Sequence, residues 1–248
     1  MKSFDQTHLA VLMITVAFFA VTMFAAHKLS RKGQNILFAL GAVLCAGGIF
    51  WRYAMGMTFD GGVDWGTLAI QMLQVCNFNF VLVLLMLIPK CELARQYSIM
   101  FSMFAAATVM LSIPKRFADG PWYDPDFLNF WLNHVFAIAL PLWMLAAGRL
   151  KPQKKYILPV AGCVVVFFLA CYGCTEWLHG TGALAQTTTF SYVYDPEGVG
   201  LLEWLYGLIP VPCFYLAPLI PPMLGFFWLL TWIFRNCNVE SYDKKRKM

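Results

Sequence analysis

Seven predominantly apolar stretches divide this sequence, at roughly 9–26, 36–56, 66–88, 96–113, 127–147, 156–175 and 212–234. Each comes close to the roughly 20 residues a helix needs to cross about 30 Å of hydrocarbon. Inside a bilayer the backbone N–H and C=O groups find no water, so a stretch of this kind satisfies them within its own helix. The pattern predicts an all-α, polytopic membrane bundle of seven transmembrane helices. It leaves room for little else, so residues 1–248 read as one transmembrane domain. Composition agrees: 60% of the chain is hydrophobic and 12% charged, where a soluble domain carries about 25% charged residues.

The loops orient the bundle. Lys28, Arg31 and Lys32 follow the first stretch, Lys90 and Arg95 the third, and Arg149, Lys151, Lys154 and Lys155 the fifth. The tail after the seventh holds Arg235, Lys244, Lys245, Arg246 and Lys247. The alternate loops hold few basic residues (Lys2, Lys115, Arg116) and most of the acidic ones, among them Asp60, Asp64, Asp119, Asp124, Asp126, Asp195 and Glu197. Cytoplasmic loops collect Lys and Arg, so the N-terminus is expected outside and the C-terminus in the cytoplasm. The fourth stretch is short and rich in Ala and Ser. Without it Arg149 to Lys155 would fall on the wrong side, so the charges support it where hydropathy alone does not.

Several function classes are disfavoured. The net charge of +5 is spread in short clusters that serve topology and does not form a nucleic-acid patch. The eight Cys sit mostly within apolar stretches, unlike a spaced extracellular disulfide framework. The first stretch lacks a basic leader and a cleavage site, and His27-Lys28-Leu29-Ser30-Arg31 follows it, so it reads as a span and not a signal peptide. A retinal protein needs a Lys in its last span, and none is there. Cys171-Tyr172-Gly173-Cys174, followed by Glu176 and His179, is a weak metal or redox motif; no metal or cofactor is expected.

Polar residues within spans are costly and mark function or pairing. At 1.5 Å per residue Cys76 lies roughly 15 Å, and His134 roughly 10 Å, below the outer ends of their spans. Asn77 and Asn79 accompany Cys76, Asn133 accompanies His134, and Arg52 lies near the outer end of the second span. Costly polar groups thus gather in the outer half. A Cys in an apolar helix is usually a small hydrophobe, and becomes a nucleophile when a neighbour such as His favours the thiolate. Arg52 reads either as a snorkelling or paired charge or as a clamp for a lipid phosphate. The long outer connection, about 177–211, ends in Leu201-Leu202-Glu203-Trp204-Leu205, an expected short interfacial helix. Pro210, Pro212, Pro218, Pro221 and Pro222 predict a broken start to the last span.

At Cys76-Asn77 and at Asn133-His134, with Leu140-Pro141 following, the chain resembles the YwaF-like bacterial membrane proteins and the transmembrane protein 164 acyltransferase family. The likeness covers nearly the whole chain, including the Pro- and aromatic-rich approach to the last span from Gly207 to Tyr215. It implies phospholipid acyl transfer or acyl-ester hydrolysis, with Cys76 as nucleophile and His134 as base, and membrane lipids as partners. On this reading Arg52, Asn77, Asn79 and Asn133 are the expected substrate-binding residues. Two positions depart from the bacterial pattern: Gln74 stands where a His precedes the Cys by two residues, and Ser191-Tyr192 stands for Asn-Tyr. The alternative is a non-catalytic protein that binds lipid or transports a small solute through the same polar region.

Overall fold

The computed structural model describes residues 4–54, 74–114, 121–183, 190–194, 196 and 198–236, and of residues 49–54 and 80 the backbone only. All regular structure among these residues is helical. In chain order come α1 (Gln6–Lys28), α2 (Arg31–Ala54), α3 (Val75–Leu87) and α4 (Glu92–Tyr97). A π-helical turn (Ser98–Ser102) joins α4 to α5 (Met103–Leu111). Then follow α6 (Pro125–Ala146), α7 (Ile157–Gly180), α8 (Gly200–Leu208) and α9 (Ile220–Ile233), with 3-10 turns at Lys154–Tyr156 and Phe214–Leu219.

Four segments among the described residues are long and apolar enough to cross a membrane: Gln6–Lys28, Pro125–Ala146, Lys154–Gly180 and Phe214–Ile233. The apolar window of α6 is 72% buried inside the bundle, against 11% for α1, 22% for the segment containing α7 and 17% for that containing α9. That contrast makes α6 the central helix and turns the other three outward. Its start is locally encoded. Asp124 accepts hydrogen bonds from the N–H groups of Asp126 (2.9 Å) and Phe127 (3.2 Å), with Pro125 in the first turn. A carboxylate cap followed by Pro removes or satisfies donors that a helix start leaves open.

Polar groups tie the outward-facing α1 to this centre. Trp131 Nε1 donates to Thr15 Oγ1 at 3.0 Å, and Trp143 Nε1 to Thr22 Oγ1 at 2.8 Å. His8 is fully buried; its Nε2–H donates to the Met110 carbonyl at 2.9 Å and its Nδ1 accepts from Phe4 N–H at 2.7 Å. Lipid gives two apolar helices little reason to associate, so hydrogen bonds and close packing carry more of the specificity. The same bonds show α1 and α6 running parallel, since Thr15 precedes Thr22 as Trp131 precedes Trp143. α2 runs the other way. A Cβ built on Gly41 would stand 2.6 Å from Trp143 Cζ3, and one on Gly48 would stand 2.7 Å from Asn129 Oδ1.

A polar network closes one end of the bundle. Glu92 accepts from Arg95 (3.1 Å), Gln96 (2.8 Å) and Gln153 (2.8 Å), while Gln96 also donates to the Lys151 carbonyl. Lys151 Nζ donates to the Arg235 carbonyl and Arg149 to Asn35. These bonds gather the ends of α6 and α9 with the starts of α2, α4 and α7.

Candidate functional site

At the opposite end, α3 begins with Gln74 and Val75, and Cys76 lies in its first turn. Gln74 gives the helix no side-chain cap. The cap comes from far along the chain: Val75 N–H donates to Ser191 Oγ at 2.8 Å, and Ser191 N–H donates back to Gln74 Oε1 at 2.8 Å. This reciprocal pair satisfies a helix-start donor and a buried loop donor together. Ser191 belongs to a strap, residues 190–194, whose Phe190, Ser191 and Val193 are buried to within 1%. Ser191 and Tyr192 have φ of 53° and 60°, and Cys213, whose N–H donates to the Val193 carbonyl, has φ of 63°. Residues other than Gly hold the left-handed region at a cost, typically where the surroundings over-determine them. Here the Tyr215 hydroxyl donates to the Tyr192 carbonyl and pins the second of the three.

The structure brings Cys76 and Asn133 together. Asn133 Nδ2 donates to the Cys76 carbonyl at 3.4 Å, and its Oδ1 accepts from the Cys45 thiol, also at 3.4 Å. The polar face of α6 therefore passes beside the first turn of α3. His134 follows Asn133, turned 100° round the helix, and is buried. Its Nδ1 lies 2.6 Å from the Phe130 carbonyl, and its ring sits 4.4 Å from the Phe130 ring. A carbonyl only accepts, so Nδ1 carries the hydrogen in the neutral ring and Nε2 carries the lone pair.

The other expected site residues are placed as follows. Asn77 is buried, and its Oδ1 stands 4.0 Å from Cys76 Sγ, at the limit for a thiol donor. It thus shows the thiol an acceptor. Asn79 is buried one turn deeper, where its Oδ1 accepts from Ser102 Oγ at 2.9 Å. Ser102 closes the π turn, and such turns re-aim side chains within a helix. Arg52 lies in α2, with its side chain outside the described residues, as are Asp60, Asp64, Lys115, Arg116, Asp119, Asp195, Glu197 and the tail from 237. Cys171 and Cys174 share α7, the first buried and the second exposed. No metal-binding group of three or more His, Cys, Asp or Glu occurs among the described residues.

A cavity of about 450 Å3 lies on the other side of the α3 start. α5, α7, the strap, α8 and the segment leading into α9 wall it, and Val75 contributes from α3. The sequence carried no direct signal for it. The Pro-rich approach to the last span and the long outer loop were the nearest clues. At the end of the strap, Tyr194 stacks on Tyr172 at 5.2 Å and donates to the Glu176 carboxylate. Burial first, then that bond and the charge of Glu176, push the Tyr194 hydroxyl above the usual phenol range.

No curated protein and no solved structure matches the sequence. The model of the TMEM164 family matches residues 3–231, nearly the whole chain, from α1 to all but the last two residues of α9. The chain belongs to the TMEM164 family.

Proposed function

We propose that the protein is a seven-span membrane acyltransferase or acyl-ester hydrolase with the N-terminus outside and the C-terminus in the cytoplasm. Cys76 is its nucleophile and His134 its base, in the outer half of a single transmembrane domain. The odd span count is supported by the parallel run of α1 and α6 and by the basic loops meeting at one end. The observation that carries the chemistry is the hydrogen bond from Asn133 to the Cys76 carbonyl. It holds the His134 helix against the thiol-bearing turn.

In this mechanism the Cys76 thiol gives its proton to His134 Nε2, and the thiolate sulfur adds to the carbonyl carbon of an acyl ester. The ester C–O bond then breaks, the leaving alkoxide takes the proton from His134, and a thioester remains on Cys76. A lysolipid hydroxyl or water gives a proton to His134 and attacks the thioester, which releases the acyl product and restores the thiol. Asn77 and Asn79 are the proposed hydrogen-bond partners of the substrate, and Arg52 holds its phosphate.

The test uses the full chain in phosphatidylcholine vesicles containing a lysolipid acceptor. Acyl exchange is expected to vanish in Cys76→Ser and His134→Ala, provided both proteins remain folded at the assay temperature. Unchanged exchange in either variant would overturn the reading. A second reading, non-catalytic lipid binding or solute transport, is favoured by one observation: the cavity is walled by Val75 but by neither Cys76 nor His134. Lipid that binds without turnover in the wild-type protein would select it.

A further inference from the structure

The cavity has its own chemistry. It lies between α7 and the Phe214–Ile233 segment, both long and apolar enough to cross a membrane. Its surroundings are therefore hydrocarbon along much of its length. A volume of about 450 Å3 falls within the roughly 300–1,000 Å3 of small-molecule sites. Its walls, among them Phe104, Val164, Phe168 and Met223, are almost wholly apolar. Water settles in a cavity when it finds two to four polar partners, and these walls do not supply them. A polar or charged solute fails for the same reason.

What polarity there is lies at one end. Thr108 is on the wall, but its hydroxyl donates back to the Phe104 carbonyl at 2.9 Å. The remaining polar wall groups are Ser191, Tyr192 and Cys213, which the strap and its partner turn place together at the α3 end. The slot is apolar along its length, and its few polar wall groups, already bonded within the protein, lie at one end; that shape suits the hydrocarbon chain of an amphiphile.

We propose that this cavity seats one hydrocarbon chain of a membrane amphiphile, with the chain's polar end at Ser191 and Tyr192. The end that meets the strap is then also beside the first turn of α3, because Ser191 caps Val75. Whether that amphiphile is a substrate rests on the acyl-transfer reading; the seating of the chain does not.

The test is photocrosslinking of the full chain in phosphatidylcholine nanodiscs doped with a phosphatidylcholine bearing a diazirine within one acyl chain. Labelled peptides are expected to concentrate on residues 101–109, 164–169 and 213–223. The outward positions Val16 and Leu158, 65% and 75% exposed, provide the lipid-facing background. Ala105→Trp and Ala217→Trp fill the cavity from different walls, and each is expected to abolish the concentrated label while leaving the background. If one variant does not fold, the other decides; if neither folds, the wild-type distribution decides. Label spread evenly over the outward faces, or unchanged by a folded Trp variant, overturns the proposal. Cys76→Ser separates the two ideas: crosslinking that persists without acyl exchange leaves the cavity standing, and folded Trp variants that lose the label yet still exchange acyl groups show that the seated chain is not the substrate.

Discussion

Replacing Ser191 by Ala removes one hydroxyl, and the structure says how far the damage should spread. That hydroxyl accepts the Val75 N–H at 2.8 Å in a place with no solvent exposure. Loss of a capping oxygen costs about 0.5–2 kcal/mol. Ser191 is buried and the cavity beside Val75 is apolar, so the upper end applies. The strap has little reserve: its two left-handed residues, Ser191 and Tyr192, carry strain of about 1–3 kcal/mol each, which these contacts offset. A loss of about 2 kcal/mol should therefore appear as local opening at both ends of the bond, with amide exchange roughly 30-fold faster by the relation of 1.4 kcal/mol to a factor of ten. Hydrogen–deuterium exchange with mass spectrometry on the full chain in nanodiscs reads this in peptides covering 74–79 and 190–194. Gln74→Ala orphans the buried Ser191 N–H and should cost about 1–3 kcal/mol in the same peptides. The double variant should lose less than the sum, since either change releases the same strap. Strict additivity, or wild-type exchange at 74–79 in Ser191→Ala, would show that the two segments are not coupled.

Three other expectations follow from separate regions. Gly41→Ala pushes a methyl against Trp143, which its bond to Thr22 holds in place, so the bundle should lose about 1–3 kcal/mol. Gly162→Ala meets nothing within 4 Å and should be neutral or stabilising; equal unfolding temperatures for the two variants would refute the packing argument. Glu92→Ala removes the acceptor that Gln96, Gln153 and Arg95 share, at about 1–3 kcal/mol, and should expose Arg149 and Lys151 to trypsin; an unchanged digest counts against the network. For Tyr194, a folded value raised above that of the unfolded chain means the neutral form stabilises the strap. That contribution is fully present below about pH 10, the ordinary phenol value, and is lost as pH rises through the folded value. Spectrophotometric titration near 295 nm should show a late phenol component that Tyr194→Phe removes; no difference between the two curves would remove the Glu176 contact from consideration.

The helices were legible in the sequence because each has to satisfy its own backbone in an apolar run. Prediction placed the fifth span at 127–147, and α6 occupies Pro125–Ala146 with the Asp124-Pro125 start written in the chain. The prolines marked the broken start of the last helix, seen as a 3-10 turn at Phe214–Leu219 ahead of α9. The fourth stretch was legible as a helix but its π turn was not, since Ser102 reaches Asn79 only through packing against α3. The site was legible in part. Asn133 was expected to meet substrate, and the fold adds that its amide bonds the Cys45 thiol and the Cys76 carbonyl. Gln74 and Ser191 stood out only as departures from the bacterial pattern, and the fold shows that the two departures touch. No periodicity reports a bond between residues 117 positions apart. The cavity was hidden for the same reason, its walls coming from segments far separated in sequence.

Two buried histidines look alike in the sequence, and their hydrogen bonds separate them. His8 uses both nitrogens structurally: Nε2–H donates to Met110, and Nδ1 accepts from Phe4. His134 donates through Nδ1 to Phe130, so its lone pair is on Nε2, as a base requires. Substitution by an amide can divide these roles, because Asn carries its amide nitrogen near the place of Nδ1 and Gln near that of Nε2. His134→Asn should keep the bond to the Phe130 carbonyl, and with it most of the stability lost in His134→Ala, while acyl exchange and the pH dependence of Cys76 alkylation disappear. His8→Gln should keep the donor to Met110 and leave exchange intact. A His134→Asn protein that still exchanges acyl groups would remove His134 as the base. One that unfolds as readily as the His134→Ala variant would show that the Phe130 bond is not what the imidazole contributes to the fold. The histidine that tethers α1 and the histidine proposed to take a proton thus differ in which nitrogen carries the hydrogen, Nε2 in His8 and Nδ1 in His134, and that assignment is what these two amide substitutions test.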